Sequence, residues 1–338
     1  MNEYIYSLVI LILSFFICLA LTRFLVLYFT KTGVVDSPDP RRLHKKTTPT
    51  GGGIAVIASF AFGFLALDFI LYEWRYSLFI LPPLLTLAVI SFYDDIKELP
   101  PALRFCAHVI AAGYISYNFL LPYQLFHGEL SYWADFVIAF IALAGFMNIY
   151  NFMDGIDGIT ASESIHLSIT ILILSILRGD VIIHCELIII IASLILMCSI
   201  AFIIYNWHPA YIFIGDVGTI TIGMLLGFCL MLIAASGVKL FVSVIIASLY
   251  YLADGGITIL IRLVKKEKIW LPHVNHFFQQ AIRQRLPHKK ITTEIILCNY
   301  WLMMLSVSAL YYPMLSLLLA IGLVIRVLVK FSEKKNVD

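Results

Sequence analysis

Long apolar runs separated by short polar pieces dominate the chain. Eleven such runs cover residues 4–29, 53–71, 77–93, 103–121, 132–150, 159–177, 182–206, 219–235, 238–261, 294–311 and 313–330, with only Tyr312-Pro313 between the last two. A helix needs about 20 mostly apolar residues to cross the hydrocarbon core of a bilayer. The pattern therefore predicts an all-α integral membrane protein with about 11 transmembrane helices.

Composition narrows the domain organisation. Of the 338 residues, 61% are hydrophobic and 13% are charged, and the mean hydropathy is +0.95. Because the connecting pieces are too short for a soluble domain, we expect one polytopic membrane domain over residues 1–338. The first run is too long for a signal peptide and lacks a basic leader, so we expect a retained anchor. The six cysteines form no Cys-x-x-Cys pair, which favours packing roles for them.

The basic residues predict the orientation. If the N-terminus is placed outside and the sides alternate, 20 of the 23 Lys and Arg residues fall in or beside cytoplasmic segments, whereas Arg75, Arg178 and Lys239 lie outside. This bias follows the positive-inside rule for membrane proteins. The count uses no motif, yet it places every acidic motif described next on the cytoplasmic side.

Five acidic residues lie next to apolar runs on that side. They are Asp94, Asp95, Asp154, Asp157 and Asp216. Ionisable groups at membrane depth are costly and are candidates for function by default. Carboxylates gathered at one face of a helical membrane body indicate a divalent metal and a phosphorylated substrate.

Two adjacent carboxylates, Asp94 and Asp95, end the third run. They repel each other, and either a nearby cation relieves the repulsion or one acid stays protonated. One of them could accept a proton or orient a phosphate nucleophile beside a metal. A solvated helix end is the alternative interpretation.

Three polar residues recur every three positions in Asn-Phe-Met-Asp-Gly-Ile-Asp-Gly at 151–158, so that one turn can present Asn151, Asp154 and Asp157 together. Asp216 precedes a helix start, where its charge is favourable. Because Mg²⁺ prefers oxygen ligands, we predict Asp216 as the metal ligand, with Asp154 as the second candidate. Phe213 could pack on a nucleobase or lie at the membrane interface.

Two polar loops complete the candidate site. The loop 30–53 carries Lys45, Thr50 and three glycines directly before the second helix. Backbone N–H groups at a helix start attract anions, so this loop predicts a phosphate contact.

The loop 262–293 carries His273, His276 and Arg283. On a helix the two histidines share a face. Their spacing suggests zinc only weakly, because no cysteine or third histidine accompanies them, and a phosphate contact fits better. A plain surface position is the alternative for His273.

Taken in this order, the motifs resemble those of the polyprenyl-phosphate N-acetylhexosamine-1-phosphate transferases, over about residues 36–285. That superfamily includes the phospho-N-acetylmuramoyl-pentapeptide translocase, which has three consecutive histidines in its last cytoplasmic loop. Here the corresponding stretch reads His-Val-Asn-His at 273–276. This stretch and the 151–157 string look closer to the O-antigen-initiating branch.

The resemblance implies roles for individual residues. Asp216 looks like the metal ligand, Asp94 and Asp95 like a pair near the lipid phosphate with Asp94 as the base, and His276 like an essential histidine. Asp254 looks shared with the O-antigen-initiating branch, or is a buried structural acid. We expect catalytic roles for Asp94, Asp95, Asp154 and His276, and substrate contacts from Lys45, Thr50, Asn151, Asp157, Asn206, Phe213, His273 and Arg283.

The resemblance also implies a reaction. A UDP-N-acetylhexosamine and undecaprenyl phosphate would meet in a cytoplasmic-facing cleft with Mg²⁺, or Mn²⁺ as an alternative ion. Sugar-1-phosphate transfer would yield UMP and a lipid-linked sugar that primes O-antigen or another surface polysaccharide. The expected location is the bacterial inner membrane, a homodimer is a family expectation, and no nucleic-acid partner is expected. The residues do not indicate which N-acetyl sugar is used.

Three alternatives remain open from the sequence. The pentapeptide translocase reaction of peptidoglycan synthesis is one. An intramembrane aspartyl protease would use Tyr93-Asp94 together with Gly-x-Gly-Asp, but the second motif reads Phe-Ile-Gly-Asp at 213–216. An ion-coupled transporter would explain Asp254 but not the gathering of acids on one side.

Overall fold

The computed structural model describes residues 2–36, 47–97, 99–268, 274–284 and 286–333, without the side chain of Asn2. Within these ranges the chain is almost entirely helical, which confirms the all-α prediction. The helices are α1 Asn2–Thr32, α2 Gly53–Tyr72, α3 Ser77–Ile96, α4 Pro101–Ile115, α5 Tyr132–Phe152, α6 Ile159–Arg178, α7 Cys185–Asn206, α8 Asp216–Ala235, α9 Val238–Ala247, α10 Leu249–Val264, α11 Phe277–Arg283, α12 His288–Ser308 and α13 Pro313–Ser332. Two short strands, β1 Val35–Asp36 and β2 Thr48–Pro49, pair antiparallel.

Helix α8 lies at the centre of the bundle. Its apolar window is 94% buried, whereas that of α1 is 28% buried and faces outward. Helices α2, α3, α5, α6, α7 and α9 all pack against α8. A helix that is apolar on every side is typical of such a buried position. The N-terminus of this central helix carries Asp216, so the predicted metal ligand lies at the end of the most buried of the candidate membrane-spanning helices.

Within the described residues, nine helices are long and apolar enough to cross a membrane, and the bent pair α9–α10 makes ten. The protein is thus an integral membrane protein, as predicted. The remaining predicted run, 103–121, is α4, which continues directly into a π-helical turn at Ser116–Leu120. Counting α4 and this turn as one crossing would give eleven, and that number stays a prediction.

The predicted run 238–261 is broken. Helices α9 and α10 meet at Ser248 with a bend of 72°. The bend leaves the carbonyl oxygen of Ala247 without a helical donor, and His166 Nε2 lies 2.9 Å from it. Non-helical backbone at membrane depth is tolerated where the protein itself satisfies its polar groups.

Two buried acids stabilise loops at the end of the bundle away from Gly53. Asp68 accepts hydrogen bonds from the amides of Tyr76 and Ser77, the latter at 2.7 Å, and so caps α3. Asp135 accepts from the amides of Leu125 and Phe126 at 2.8 and 2.7 Å. Backbone donors satisfy both carboxylates, which explains how these acids are tolerated in buried positions.

Candidate active site

A cavity of about 550 Å³ lies where one set of helix ends meets. The C-terminal ends of α3, α5 and α7 and the N-terminal ends of α4, α6, α8 and α12 surround it. Eight of the predicted site residues line it: Thr50, Asp94, Asp95, Asp154, Asp157, Asn206, Phe213 and Asp216. Four separate sequence motifs thus contribute to a single cavity.

Arg104, from the first turn of α4, holds two of the carboxylates together. Its Nη1 atom donates to Asp94 Oδ2 at 2.8 Å and lies 3.8 Å from Asp216 Oδ2. Asp94 Oδ1 also accepts from the amide of Leu99 at 2.7 Å. The side chain of Asp94 is 7% exposed, whereas that of Asp216 is 27% exposed. Asp94 is therefore already held by donors, and Asp216 is the acid more open to a ligand.

Asp95 has a different environment from its neighbour. Its Oδ1 accepts from the amide of Asp216 at 3.0 Å and its Oδ2 from the amide of Val217 at 3.4 Å. Free amides at a helix start carry partial positive charge, so a carboxylate there is favourable. A side chain at position 215 would meet the Asp95 carboxylate at 2.5 Å, and Gly215 has φ +71°. Glycine is thus required for Asp95 to reach α8.

Asp154 lies in the turn between α5 and α6 and is partly buried. Its Oδ1 accepts a hydrogen bond from the hydroxyl of Thr160 at 2.5 Å. Loss of hydration raises the pKa of Asp154 to about 7. The hydrogen bond from the Thr160 hydroxyl lowers this pKa, and the nearby negative charges of Asp216 and Asp157 raise it. Asn151, one turn earlier, accepts from the hydroxyl of Thr219 at 2.8 Å and does not line the cavity.

Asp157 is at the other end of the predicted motif and meets two histidines. Its Oδ2 lies 2.6 Å from His208 Nδ1 and accepts from the amide of Ala210 at 3.2 Å. Its Oδ1 lies 3.9 Å from His288 Nδ1 at the start of α12. Among the described residues, these three side chains form a cluster that could hold a metal ion.

Asn206 joins two loops at this end of the cavity. Its Nδ2 donates to the carbonyl of Ile212 at 2.9 Å, and its Oδ1 accepts from the amide of Gly158 at 3.1 Å. Both ends of the amide group thus bind backbone. The role of Asn206 visible here is to hold the 154–158 turn against the 207–213 loop.

The glycines at 51–53 pack against the Phe213 segment. The amides of Gly52 and Gly53 donate to the carbonyls of Phe213 and Ile214 at 2.9 and 2.8 Å. A Cβ atom on Gly53 would clash with the backbone nitrogen of Gly218. The sequence interpretation assigned these amides to an anion, whereas here the protein's own carbonyls take up those of Gly52 and Gly53. The glycines allow the start of α2 to touch the start of α8.

His276 lies beneath the cavity rather than in its lining. It is 1% exposed, and its Nδ1 lies 3.2 Å from Asp254 Oδ1. The fully buried Asp254 also accepts from the amides of Phe277 and Phe278 at 3.0 and 3.2 Å. Asp254 therefore positions the start of α11, which agrees with the structural alternative for this acid. Gln279 of α11 does line the cavity.

The remaining predicted contacts fall elsewhere. Arg283, at the end of α11, is exposed and does not line the cavity. Lys45 and His273 lie outside the described residues.

Sequence reasoning missed three lining or adjacent residues. Arg104 was counted only for orientation, although it lies ten positions after Asp94 at the start of the next helix. His208 and His288 were not singled out. Proximity to a carboxylate from another segment identifies each of them, and this information is not contained in any one motif.

Oxygen donors dominate the part of the cavity around Asp154 and Asp216. Mg²⁺ is commonly held by one or two carboxylates together with substrate phosphates. Like Asp95, which binds the first amides of α8, Asp216 and Asp154 have no ion-pair partner within 3 Å among the described residues. Their chemistry fits a hard divalent cation.

Comparison with protein families matches the part of the chain that carries the predicted acids. Residues 77–235, which contain Asp94, Asp95, Asp154, Asp157 and Asp216, match glycosyl transferase family 4. The resemblance predicted from the motifs is thereby confirmed.

Individual relatives cover most of the chain. A probable undecaprenyl-phosphate N-acetylglucosaminyl 1-phosphate transferase of Bacillus subtilis (strain 168) is 27% identical, over 83% of this chain and 77% of its own length. The phospho-N-acetylmuramoyl-pentapeptide-transferase of Chlamydia abortus is 24% identical over 75% of this chain and 80% of its own. That of Buchnera aphidicola (strain APS) is 25% identical over 87% and 89%.

Proposed function

We propose that the protein transfers an N-acetylhexosamine-1-phosphate from a UDP-sugar to undecaprenyl phosphate, giving UMP and an undecaprenyl-diphosphate-linked sugar. The observation that carries the proposal is the joining of Asp94 and Asp216 by Arg104 in a cavity at the ends of membrane helices. The Arg104 guanidinium lies between two carboxylates at the ends of membrane helices. A site in this position can bind a lipid phosphate from the bilayer and a water-soluble diphosphate from solution. The names of the relatives support the same substrate classes.

The proposed reaction forms one P–O bond and breaks another at the same phosphorus. An oxygen of undecaprenyl phosphate attacks the β-phosphorus of the UDP-sugar and forms a new P–O–P bridge. The bond from that phosphorus to the UMP oxygen breaks, and UMP leaves with the electron pair. In phosphoryl transfer the protein contributes mainly positioning and electrostatic stabilisation.

The described residues have distinct parts in this proposal. Arg104 draws the lipid phosphate toward the cavity and offsets its charge, and Asp94 fixes the guanidinium through the 2.8 Å contact. Asp95 holds the start of α8 so that Asp216 keeps its place. Asp157 and Phe213 receive the nucleotide end. Asp216 and Asp154 would hold Mg²⁺, and Mn²⁺ is an alternative. A bound divalent cation would neutralise the diphosphate and aid the leaving group.

The proposed location is the cytoplasmic face of a bacterial inner membrane. The cavity lies at the end of the bundle that carries Lys97, Arg104, Arg262, Lys265 and Lys330. Basic residues favour the cytoplasmic side. Reporter fusions after position 333 should report a cytoplasmic C-terminus, and a periplasmic signal would reverse this orientation. We further propose that the product primes O-antigen or another surface polysaccharide.

The decisive experiment is a donor panel with purified protein and undecaprenyl phosphate. It should include several UDP-N-acetylhexosamines and UDP-N-acetylmuramoyl-pentapeptide, with UMP and lipid-linked product measured together. We expect UMP release from a UDP-N-acetylhexosamine that needs both the lipid and Mg²⁺, and that Asp216→Asn abolishes. Release from the pentapeptide donor alone would favour the peptidoglycan reaction. No release from any donor, by protein that remains folded, would contradict the proposal.

A further inference from the structure

Asp157, His208 and His288 come from three separate segments and meet at one side of the cavity. Asp157 belongs to the turn before α6, His208 to the loop after α7, and His288 to the first position of α12. Asp157 and His288 line the cavity. We propose that this Asp157–His208–His288 cluster is a binding site for Zn²⁺ or a similar transition metal, separate from the Mg²⁺ position proposed at Asp216 and Asp154.

The ligand atoms are close enough to share one ion. One candidate atom from each residue lies within 4.8 Å of the other two. Zn²⁺ binds imidazole nitrogens and carboxylate oxygens at about 2.0–2.2 Å, so tetrahedral ligands lie roughly 3.3 Å apart. The Asp157 Oδ2–His208 Nδ1 distance is 2.6 Å and would have to lengthen toward that separation. The Asp157 Oδ1–His288 Nδ1 distance is 3.9 Å and would have to shorten toward it.

The backbone around the cluster is already fixed. The hydroxyl of Thr292 donates to the carbonyl of Asp157 at 3.0 Å and ties α12 to the turn. The amide of Ala210 donates to Asp157 Oδ2 at 3.2 Å and ties the His208 loop to the same residue. The ring centroids of His208 and His288 lie 5.4 Å apart, and the angle between the ring planes is 40°. Supporting contacts of this kind orient metal ligands before the metal arrives.

The donor set selects the type of metal. Two imidazoles and one carboxylate are a common ligand set for Zn²⁺ in sites that keep a fourth position for water or substrate. Mg²⁺ prefers a set made only of oxygens and strips its own water reluctantly. Only one negative charge is present, so a bound dication leaves a net positive site that suits water, hydroxide or an anion as the fourth ligand. The side chain of His208 is 39% exposed, which gives the metal a route in from solvent.

Zn²⁺ binding can be measured directly, without any substrate. Purified, chelator-stripped protein in detergent is titrated with Zn²⁺ by calorimetry, and Co²⁺ is used as a spectroscopic substitute. We expect one Zn²⁺ that a large excess of Mg²⁺ does not displace, together with a visible Co²⁺ absorption band typical of a four-coordinate site. The result does not depend on the proposed transferase reaction, so either can fail without the other.

Variants assign the site to these side chains. His208→Ala should weaken Zn²⁺ binding by at least about 10–100-fold and remove the Co²⁺ band. Because His208→Ala also removes the 2.6 Å contact with Asp157, we expect a small fall in Tm in metal-free buffer and a protein that remains folded. His127→Asn is the matched control, because His127 is an exposed histidine in the loop before α5, at the other end of the bundle. Asparagine tolerates the φ of +52° at this position. It should bind Zn²⁺ like the wild type.

Three outcomes would overturn the proposal. The first is a wild-type protein that binds no Zn²⁺ in this titration, in which case Asp157 and His208 are only a hydrogen-bonded pair. The second is equal binding by His208→Ala and His127→Asn, which would move the ion elsewhere. The third is displacement of Zn²⁺ by excess Mg²⁺. If His208→Ala proves unstable, Asp157→Asn keeps the side-chain shape and should likewise lose the Co²⁺ band.

Discussion

Asp95 accepts hydrogen bonds from the start of α8, with its Oδ1 atom 3.0 Å from the amide nitrogen of Asp216. The two acids come from helices 121 residues apart in the chain. One acid therefore positions the backbone of another that is a candidate ligand. The paired carboxylates at 94 and 95 have different tasks: Asp94 binds the guanidinium of Arg104, whereas Asp95 binds the central helix.

Substitution of Asp95 should act through α8. Asp95→Ala removes a charged cap, and we expect a loss of about 1–2 kcal/mol in the free energy of unfolding. Asp95→Asn keeps an acceptor and should lose less. Thermal unfolding in detergent checks the order of the two. If Asp95→Ala lowered turnover while leaving the Tm unchanged, Asp95 would contact substrate rather than position Asp216.

A proton and a cation should compete at Asp154. Its pKa is raised from 3.8 to about 7, so the metal-free acid carries a proton below pH 7 and loses it above. Because a cation binds only the ionised carboxylate, the affinity for Mg²⁺ should fall as pH drops through 7, by up to about tenfold per pH unit. Titrations of Mg²⁺ at pH 6, 7 and 8 check this.

The matched control for Asp154 is Asp154→Asn, which should bind Mg²⁺ more weakly and lose most of the pH dependence in that window. The same pKa rise has a consequence for stability. The metal-free folded protein binds more protons than the unfolded chain between about pH 4 and 7, so this group's contribution to stability falls as pH rises through that range. Equal Mg²⁺ affinity at pH 6 and 8 would contradict the assignment of Asp154 as a ligand.

The fold was predicted well where hydrophobic length alone decides it. Runs such as 53–71 and 159–177 became α2 and α6 within a few residues, because an apolar stretch of that length must be helical in a bilayer. The break at Ser248 was not predicted. The run 238–261 is mostly apolar and carries no proline or glycine at the break, and the contact of His166 with the Ala247 carbonyl comes from another helix.

The site was predicted where one short motif carries several acids, as in 151–158. Residue roles that depend on a contact with a distant segment of the chain were not predicted. Asn206 was expected to contact a substrate, which stays a prediction, and the sequence did not indicate that its amide group binds the backbone of Ile212 and Gly158. Arg104 was recognised only as a cytoplasmic charge. The sequence shows neither partner, because each contact forms only when separate helix ends meet.

A buried polar pair inside the bundle offers a test of stability. Asn299 Nδ2 donates to Glu163 Oε2 at 2.6 Å, and both residues are at most 2% exposed. Removing one partner leaves the other buried without its hydrogen bond, at a cost of about 1–3 kcal/mol. Asn299→Leu should therefore lower the Tm more than the Glu163→Leu, Asn299→Leu double variant does. Glu163→Gln, which keeps the acceptor, is the control. Strictly additive effects in this cycle would show that the pair is not coupled.

Substitutions at Asp94 and Asp157 should separate the functions of the two ends of the cavity. Asp94→Asn removes the charge that holds Arg104 and should chiefly lower kcat, by about 10²–10⁴-fold if Asp94 acts as a base. Asp157→Ala should chiefly raise the KM for the UDP-sugar, because a contact to the nucleotide is made equally in the ground and transition states. Steady-state kinetics with each substrate varied in turn distinguishes these effects. An Asp94→Asn enzyme that raised only the KM for the UDP-sugar would reverse our placement of the two substrates.

The pH dependence of the Asp94→Asn enzyme then separates two roles for Asp94. A missing base should leave residual activity that rises with pH, because hydroxide can replace it. A missing orienting group should leave a deficit that is the same at every pH. The structure favours the second result, since Asp94 already accepts from the Arg104 guanidinium at 2.8 Å and from the Leu99 amide at 2.7 Å. Both carboxylate oxygens are thus already taken up by donors. Arg104→Ala should then reproduce the flat deficit, and a rising profile in the Asp94→Asn enzyme would restore Asp94 as the base.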